Sequence, residues 1–175
     1  MTHDSASKTA AGRFFEDFRI GETIRHATPR TLRDGDASLY SALYGARFAP
    51  QSAEAFAQAI GYPRSPIDDL LAFHVVFGKT VPDVSLNAVA NLGYADCRFL
   101  KAVYPGDTLS STSEVIGLRE NSNRQSGVVY VRSRGVAWRM VSPIRKSSKN
   151  RPAAVLDAGA WIMAVRTRSG RCNRR

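Results

Sequence analysis

The sequence predicts an α+β domain in which an antiparallel sheet covers a long apolar helix. Three observations carry that prediction. First, Tyr104-Pro105-Gly106-Asp107 reads as a tight turn between two strand segments. Pro105 presets φ for the first central position, and Gly106 supplies the positive φ that a type II turn needs next. Second, Leu70, Leu71, Ala72, Phe73, Val75, Val76 and Phe77 leave a helix with almost no polar face, and such a helix must be enclosed. Third, the order is strand, short helices, long helix, then three long strands, which places the helices on one face of a sheet.

The elements follow in order. Phe14 to Ile20 forms an entry segment with aromatic anchors, and Thr23 to Leu32 alternates as a strand. Asp36 is expected to cap a helix over 37–44 that Gly45 ends, and Ser52 a second helix over 53–60 closed by Gly61. Ser65 and Pro66 then open the apolar helix, with Asp68 and Asp69 complementing its dipole. Strands are expected over 86–103 with an interruption near Gly93, over 107–119 and over 127–138. Residues 121–127 supply the turn between the last two.

Composition narrows the class. The 175 residues suffice for one domain with a real core, and no run reaches the roughly 18 apolar residues of a membrane span. Residues 1–11 are small and polar and read as a disordered leader. Cys97 and Cys172 lie far apart without metal-ligand spacing, which leads to an expectation of a reducing, cytoplasmic setting. His3, His26 and His74 are scattered, so neither a metal nor a cofactor is expected.

Net charge is +10 but unevenly placed. Residues 1–138 hold 15 basic and 14 acidic side chains; residues 139–175 hold 10 basic side chains and only Asp157. The folded part is thus nearly neutral, which argues against nucleic acid as the partner. The expected division is a domain over 12–138 followed by a basic tail over 139–175, either a native extension or the product of a shifted reading frame.

The run from Phe99 through Leu-Lys-Ala-Val-Tyr-Pro-Gly-Asp-Thr to Leu109 resembles the strand–turn–strand segment of the MaoC-like hydratase/dehydratase family of hot dog proteins. Residues 12–18, 24–31, 68–83, 85–95 and 114–123 continue the likeness, which covers roughly 12–135 and is similar to the branch acting on mesaconyl-CoA. The resemblance implies a hot dog fold, a long central helix wrapped by an antiparallel sheet. It also implies hydration of a 2-enoyl-CoA thioester, with a carboxylate and an imidazole sharing a water. Such enzymes carry two hot dogs, and this chain matches the first.

The family's hydratase motif, Gly-Asp-x-Asn-Pro-x-His, corresponds here to the stretch from Gly45 to Ser52. Laying Gly45 on the motif's glycine puts Ala46 at the acid and Gln51 at the histidine, so the motif's proton-transfer pair is absent. The remaining site candidates follow from the resemblance, each beside a plainer role. Asp36 is the nearest upstream acid, or a helix cap. His74 is an acid or base, or a core histidine. Ile67 and Asp68 open the helix whose free N–H groups would polarise a thioester carbonyl, or merely cap it. Arg47, Arg98 and Lys101 would meet CoA phosphates, or are solvated surface charges. Asn91 and Gly93 would line an acyl pocket, Gly93 equally serving a bulge. The expected partners are a CoA-thioester substrate and either a second copy or a second hot dog domain.

Overall fold

The computed structural model describes residues 12–27, 29–138 and 152–168. The expected leader, residues 139–151 and Cys172 lie outside the described residues. A single 3-10 turn, Phe15–Asp17, leads into β1 (Thr23–Arg25) and β2 (Arg30–Thr31). Three short helices follow, α1 (Asp34–Tyr44), α2 (Ala49–Ser52) and α3 (Glu54–Ala59). Next come α4 (Asp69–Gly78) and a π-helical turn, Val81–Ser85. The remaining strands are β3 (Ala88–Ala95), β4 (Arg98–Phe99), β5 (Thr108–Glu120), β6 (Ser126–Trp138) and β7 (Ala153–Arg166).

These strands form one antiparallel sheet in the order β1-β5-β6-β7-β3, with β2 on β5 and β4 on β7. The sheet therefore does not stop at Trp138. β7 sits between β6 and β3, and its Val155, Leu156, Trp161, Met163 and Val165 are buried. The expected domain boundary at 138 is corrected accordingly. The basic side chains of the last 37 residues fall at 139–151 and 166–175, and between them runs an alternating strand whose one charge before its terminal Arg166 is Asp157. Averaging charge across the segment hides a period-2 pattern that belongs in a sheet.

Local chemistry also moves several helix ends. Asp36 is the third residue of α1 rather than its cap, and its carboxylate reaches back to accept the Arg33 N–H at 2.9 Å. The expected second helix over 53–60 is α3, which begins after the extended Ala53, whereas Ser52, expected as its cap, ends the separate short turn α2 that the sequence reading did not foresee. The apolar helix starts at Asp69, after Pro66, because the Ile67 N–H donates to the Val103 carbonyl at 2.7 Å and holds that segment against the strand. Asp68, not Ser65, caps it by accepting the Leu70 N–H at 2.8 Å. The expected interruption near Gly93 is present as a register shift between Asn91 and Gly93.

α4 packs one face on the sheet. Leu71, Ala72, Val75 and Val76 are buried with Leu32, Ile67, Leu109 and Leu156. A second cluster, centred on Ile24, Val115, Val131, Trp161 and Met163, fills the other end. The far side of α4 is not enclosed as expected. His74 is exposed, its ring 6.0 Å from those of Tyr40 and Phe73, so it is not a core histidine. Phe73 and Phe77 stack at 5.0 Å and meet Tyr94 edge-on, forming an aromatic seam between α4 and β3.

Gly135 sets the helix–sheet distance. A Cβ there would lie 2.7 Å from Val76 Cγ2 and 3.3 Å from Leu156 Cβ. Gly135→Ala is expected to force α4 off the sheet and to lower stability by about 1–3 kcal/mol, as overpacking does. A denaturant midpoint unchanged from the parent protein would contradict this.

Candidate functional site

An open groove of about 550 Å³ runs between the α2–α3 segment and residues 99–102, with the start of α4 at its floor. Most of its lining residues are apolar, Phe48, Phe56, Tyr62, Ile67 and Phe99 among them. Three polar side chains join them, Gln51, Asp69 and Lys101. This ratio of apolar wall to a few directed polar groups is typical of sites for small organic ligands.

Each polar group is positioned by local structure. Gln51 lies in the single turn of α2, and its Oε1 is buried without a hydrogen-bond partner among the described residues. A buried carbonyl oxygen left unbonded is costly, so this atom would gain from any donor able to reach it. Asp69 is the first residue of α4. Burial pushes its carboxyl above the usual carboxylate range, and the adjacent Asp68 charge adds to that shift. Asp69 therefore holds its proton more readily than a free aspartate does. Lys101 is the cation among the lining residues and is exposed at the rim.

The groove thus gathers Gln51, Ile67 and Lys101 from the sequence-derived candidates. Ile67 borders the groove but is almost wholly buried, and its N–H is taken by Val103 and cannot polarise a thioester. Asp68 spends a carboxylate oxygen on capping α4. The others lie elsewhere. Asp36 pairs with Arg30 at 2.6 Å on the α1 surface. His74 is exposed on α4, Arg47 in the loop after α1, and Arg98 on β4. Asn91 and Gly93 sit on β3 at the register shift, with Asn91 exposed. A second groove of about 590 Å³ borders the Pro105-Gly106 turn, where the cation Arg64 is already paired with Asp34 at 2.8 Å.

Sequence reasoning missed Asp69 as a site residue, since adjacent Asp68 and Asp69 read simply as dipole-complementing charges. It also missed an enclosed Asp83–His26–Ser113 constellation. His26 Nδ1 lies 2.8 Å from Asp83 Oδ2 and Nε2 lies 2.7 Å from Ser113 Oγ. These partners are 57 and 87 positions away in the chain, so no local motif announces them. The His26 side chain has 0% exposure, so no substrate reaches it, and it is not a catalytic dyad or triad.

Among the described residues no cluster of His, Cys, Asp and Glu could hold a metal, and no helix is long and apolar enough to cross a membrane.

The mesaconyl-CoA hydratase family model matches residues 2–146. A β-methylmalyl-CoA dehydratase from Chloroflexus aurantiacus is 58% identical over 159 residues, covering 85% of this chain and 44% of that protein. The crystal structure of a MaoC domain protein dehydratase from the same organism superposes with a TM-score of 0.82 at 54% identity, covering 95% of this chain and 44% of that one. A Mycobacterium tuberculosis protein described as a double hotdog fold shares the architecture, with a TM-score of 0.73 at 23% identity over 90% of this chain and 45% of its own. The chain spans less than half the length of the curated relative.

Proposed function

Because this chain belongs to the mesaconyl-CoA hydratase family of hot dog proteins, we propose that it forms the acyl-binding half of a hydratase acting on mesaconyl-CoA. In that reaction water adds across the double bond of the 2-enoyl thioester. The β-carbon gains the hydroxyl, the α-carbon gains the proton, and the product is β-methylmalyl-CoA. The reading rests most heavily on one observation, the groove lined by apolar side chains together with Asp69 and Gln51, whose oxygen lacks a partner. An amide N–H of the pantetheine arm or a bound water would satisfy Gln51. Asp69 would donate to a polar atom of the acyl group, and Lys101 would meet a carboxylate or phosphate at the mouth.

Ala46 and Gln51 stand where the family motif has its acid and histidine, so the proton-transfer pair would come from a second hot dog domain or a second copy. The outer strand supports such pairing. β3 ends the main run of the sheet, and its Val89 and Leu92 are 56% and 55% exposed. An apolar sheet edge is a ready surface for strand-to-strand docking. The proposed setting is cytoplasmic, without metal or organic cofactor.

A second reading, a binding-only hot dog, is favoured by the same missing motif pair; a thioesterase is the third. Incubation of the purified protein with mesaconyl-CoA separates them. Loss of conjugated-enoyl absorbance without free thiol supports hydration, and free CoA supports the thioesterase. Binding by calorimetry with neither change supports the binding-only reading. In every binding case Gln51→Leu is expected to weaken affinity about tenfold, the worth of one well-placed hydrogen bond. Unchanged affinity would remove the groove from consideration.

A further inference from the structure

The sheet has a second face, turned away from α4, and the alternation of β6 sets its character. Val131, Ser133, Gly135 and Ala137 point inward and are buried, and Gly135 faces Val76 of α4. Tyr130, Arg132, Arg134, Val136 and Trp138 therefore share the outer face. Successive members of that row stand about 6.7 Å apart, and its two aromatic ends about 27 Å. Trp138 is 44% exposed, and its Nε1 donates to Ser110 Oγ at 3.3 Å, which lays the indole along the sheet.

Register extends the row sideways. Arg25, Thr112, Arg134, Asp157 and Arg98 stand opposite one another in turn across β1, β5, β6, β7 and β4. Two strand spacings, about 10 Å, separate Arg25 from Arg134 and Arg134 from Arg98. In the neighbouring rung Glu114 lies between Thr23 and Arg132. Arg25, Arg98, Arg132 and Arg134 are exposed, and none forms an ion pair among the described residues. That holds although Glu114 or Asp157 stands opposite three of them. Asp157 instead accepts the Gly159 N–H at 3.0 Å. A depression of about 140 Å³ lies among Thr23, Thr112, Glu114, Arg132 and Arg134.

The corrected boundary also changes the charge that counts. Near-neutrality of residues 1–138 weighs against nucleic acid only while the remainder is a separate tail. β7 lies inside the sheet, so the seven basic side chains and one acid of residues 139–168 belong to the same folded unit.

We propose that the outer face binds single-stranded nucleic acid, with Trp138 and Tyr130 stacking bases and the four arginines meeting phosphates. Guanidinium groups match phosphate oxygens in pairs. Aromatic rings set among cations take unpaired bases with little regard to sequence. An acidic peptide would use the arginines but gain nothing comparable from the rings. Glu114 and Asp157 oppose a polyanion here, and the unpaired guanidinium groups outnumber them. The proposal does not rest on the hydratase reading.

Fluorescence anisotropy of the intact protein with a labelled oligouridine of about 12 nucleotides reads the binding. Log affinity is expected to fall with log salt at a slope near −3, about 0.7 for each of four neutralised phosphates. The double variant Arg132→Gln, Arg134→Gln is expected to make that slope shallower by about 1.4. Trp138→Ala is expected to weaken binding about five- to a hundredfold, the worth of one stacked base. No binding at low salt would overturn the proposal. An unchanged slope in the arginine variant would do the same, by moving the phosphates to the basic chain ends. Polyglutamate competing as well as polyuridine, with Trp138→Ala without effect, would make this an acidic-peptide surface and sink the proposal. Cross-linking of the parent complex through a photoactivatable thiouridine decides the case even where Trp138→Ala does not fold. Attachment is expected at Trp138 or Tyr130, and a complex linked at neither ring would contradict the assignment.

Discussion

A chain stopped after Trp138 is expected to have no cooperative fold. Such a chain keeps the expected 12–138 domain yet lacks β7. That strand pairs with β6 along most of its length and with β3 on its other side. Without it, β3 has no partner in the main sheet and β4 none at all. The loss also opens both core clusters, because Val155 and Leu156 belong to the one around α4 and Trp161, Met163 and Val165 to the other. Each such side chain contributes roughly 1.5–3 kcal/mol on burial. Five together approach the whole stability of an ordinary domain, about 5–15 kcal/mol. Circular dichroism and proton NMR should show lost tertiary packing. A sharp melting transition in the truncated chain would place β7 outside the stable unit.

Trp161→Ala should produce the largest loss from a single substitution among those considered. The indole is fully buried, meets Phe77 edge-on at 4.6 Å and donates to Ser133 at 2.9 Å. Removing a buried tryptophan costs about 3–5 kcal/mol through lost transfer energy and the cavity left behind. Ser133 also loses the donor that fixes the direction of its hydroxyl. Trp161→Phe retains most of the ring packing and removes only the N–H, so a loss nearer 1–2 kcal/mol is expected. Urea denaturation of the two variants separates packing from hydrogen bonding. Equal losses would show that the Ser133 bond carries the effect, whereas a negligible loss in Trp161→Ala would mean the core closes over the gap.

The legible part of this molecule is what short-range chemistry dictates. Pro105 and Gly106 mark the turn, Gly45 ends α1, and the apolar run from Leu70 to Phe77 is a helix on the sheet. The family likeness supplies the hot dog architecture, which the structural neighbours bear out. Illegible parts depend on distant partners. Nothing near Ile67 indicates that Val103 will take its N–H and delay α4. The role of β7 is masked because the strand is flanked by basic residues on both sides. For the groove, Gln51 emerges from the motif alignment, but Asp69 becomes notable only once burial shifts its carboxyl. The Asp83–His26–Ser113 constellation draws on three segments that no local pattern connects.

The insertion of β7 between β6 and β3 has a consequence for the newborn polypeptide. During synthesis the neighbours on both sides emerge first, and their hydrogen-bonding edges wait unfilled until the wedge between them arrives. Pairings of such long sequence span close slowly and leave sticky intermediates exposed. Ribosome-bound chains of this protein should therefore remain chaperone clients until residue 166 has cleared the exit tunnel.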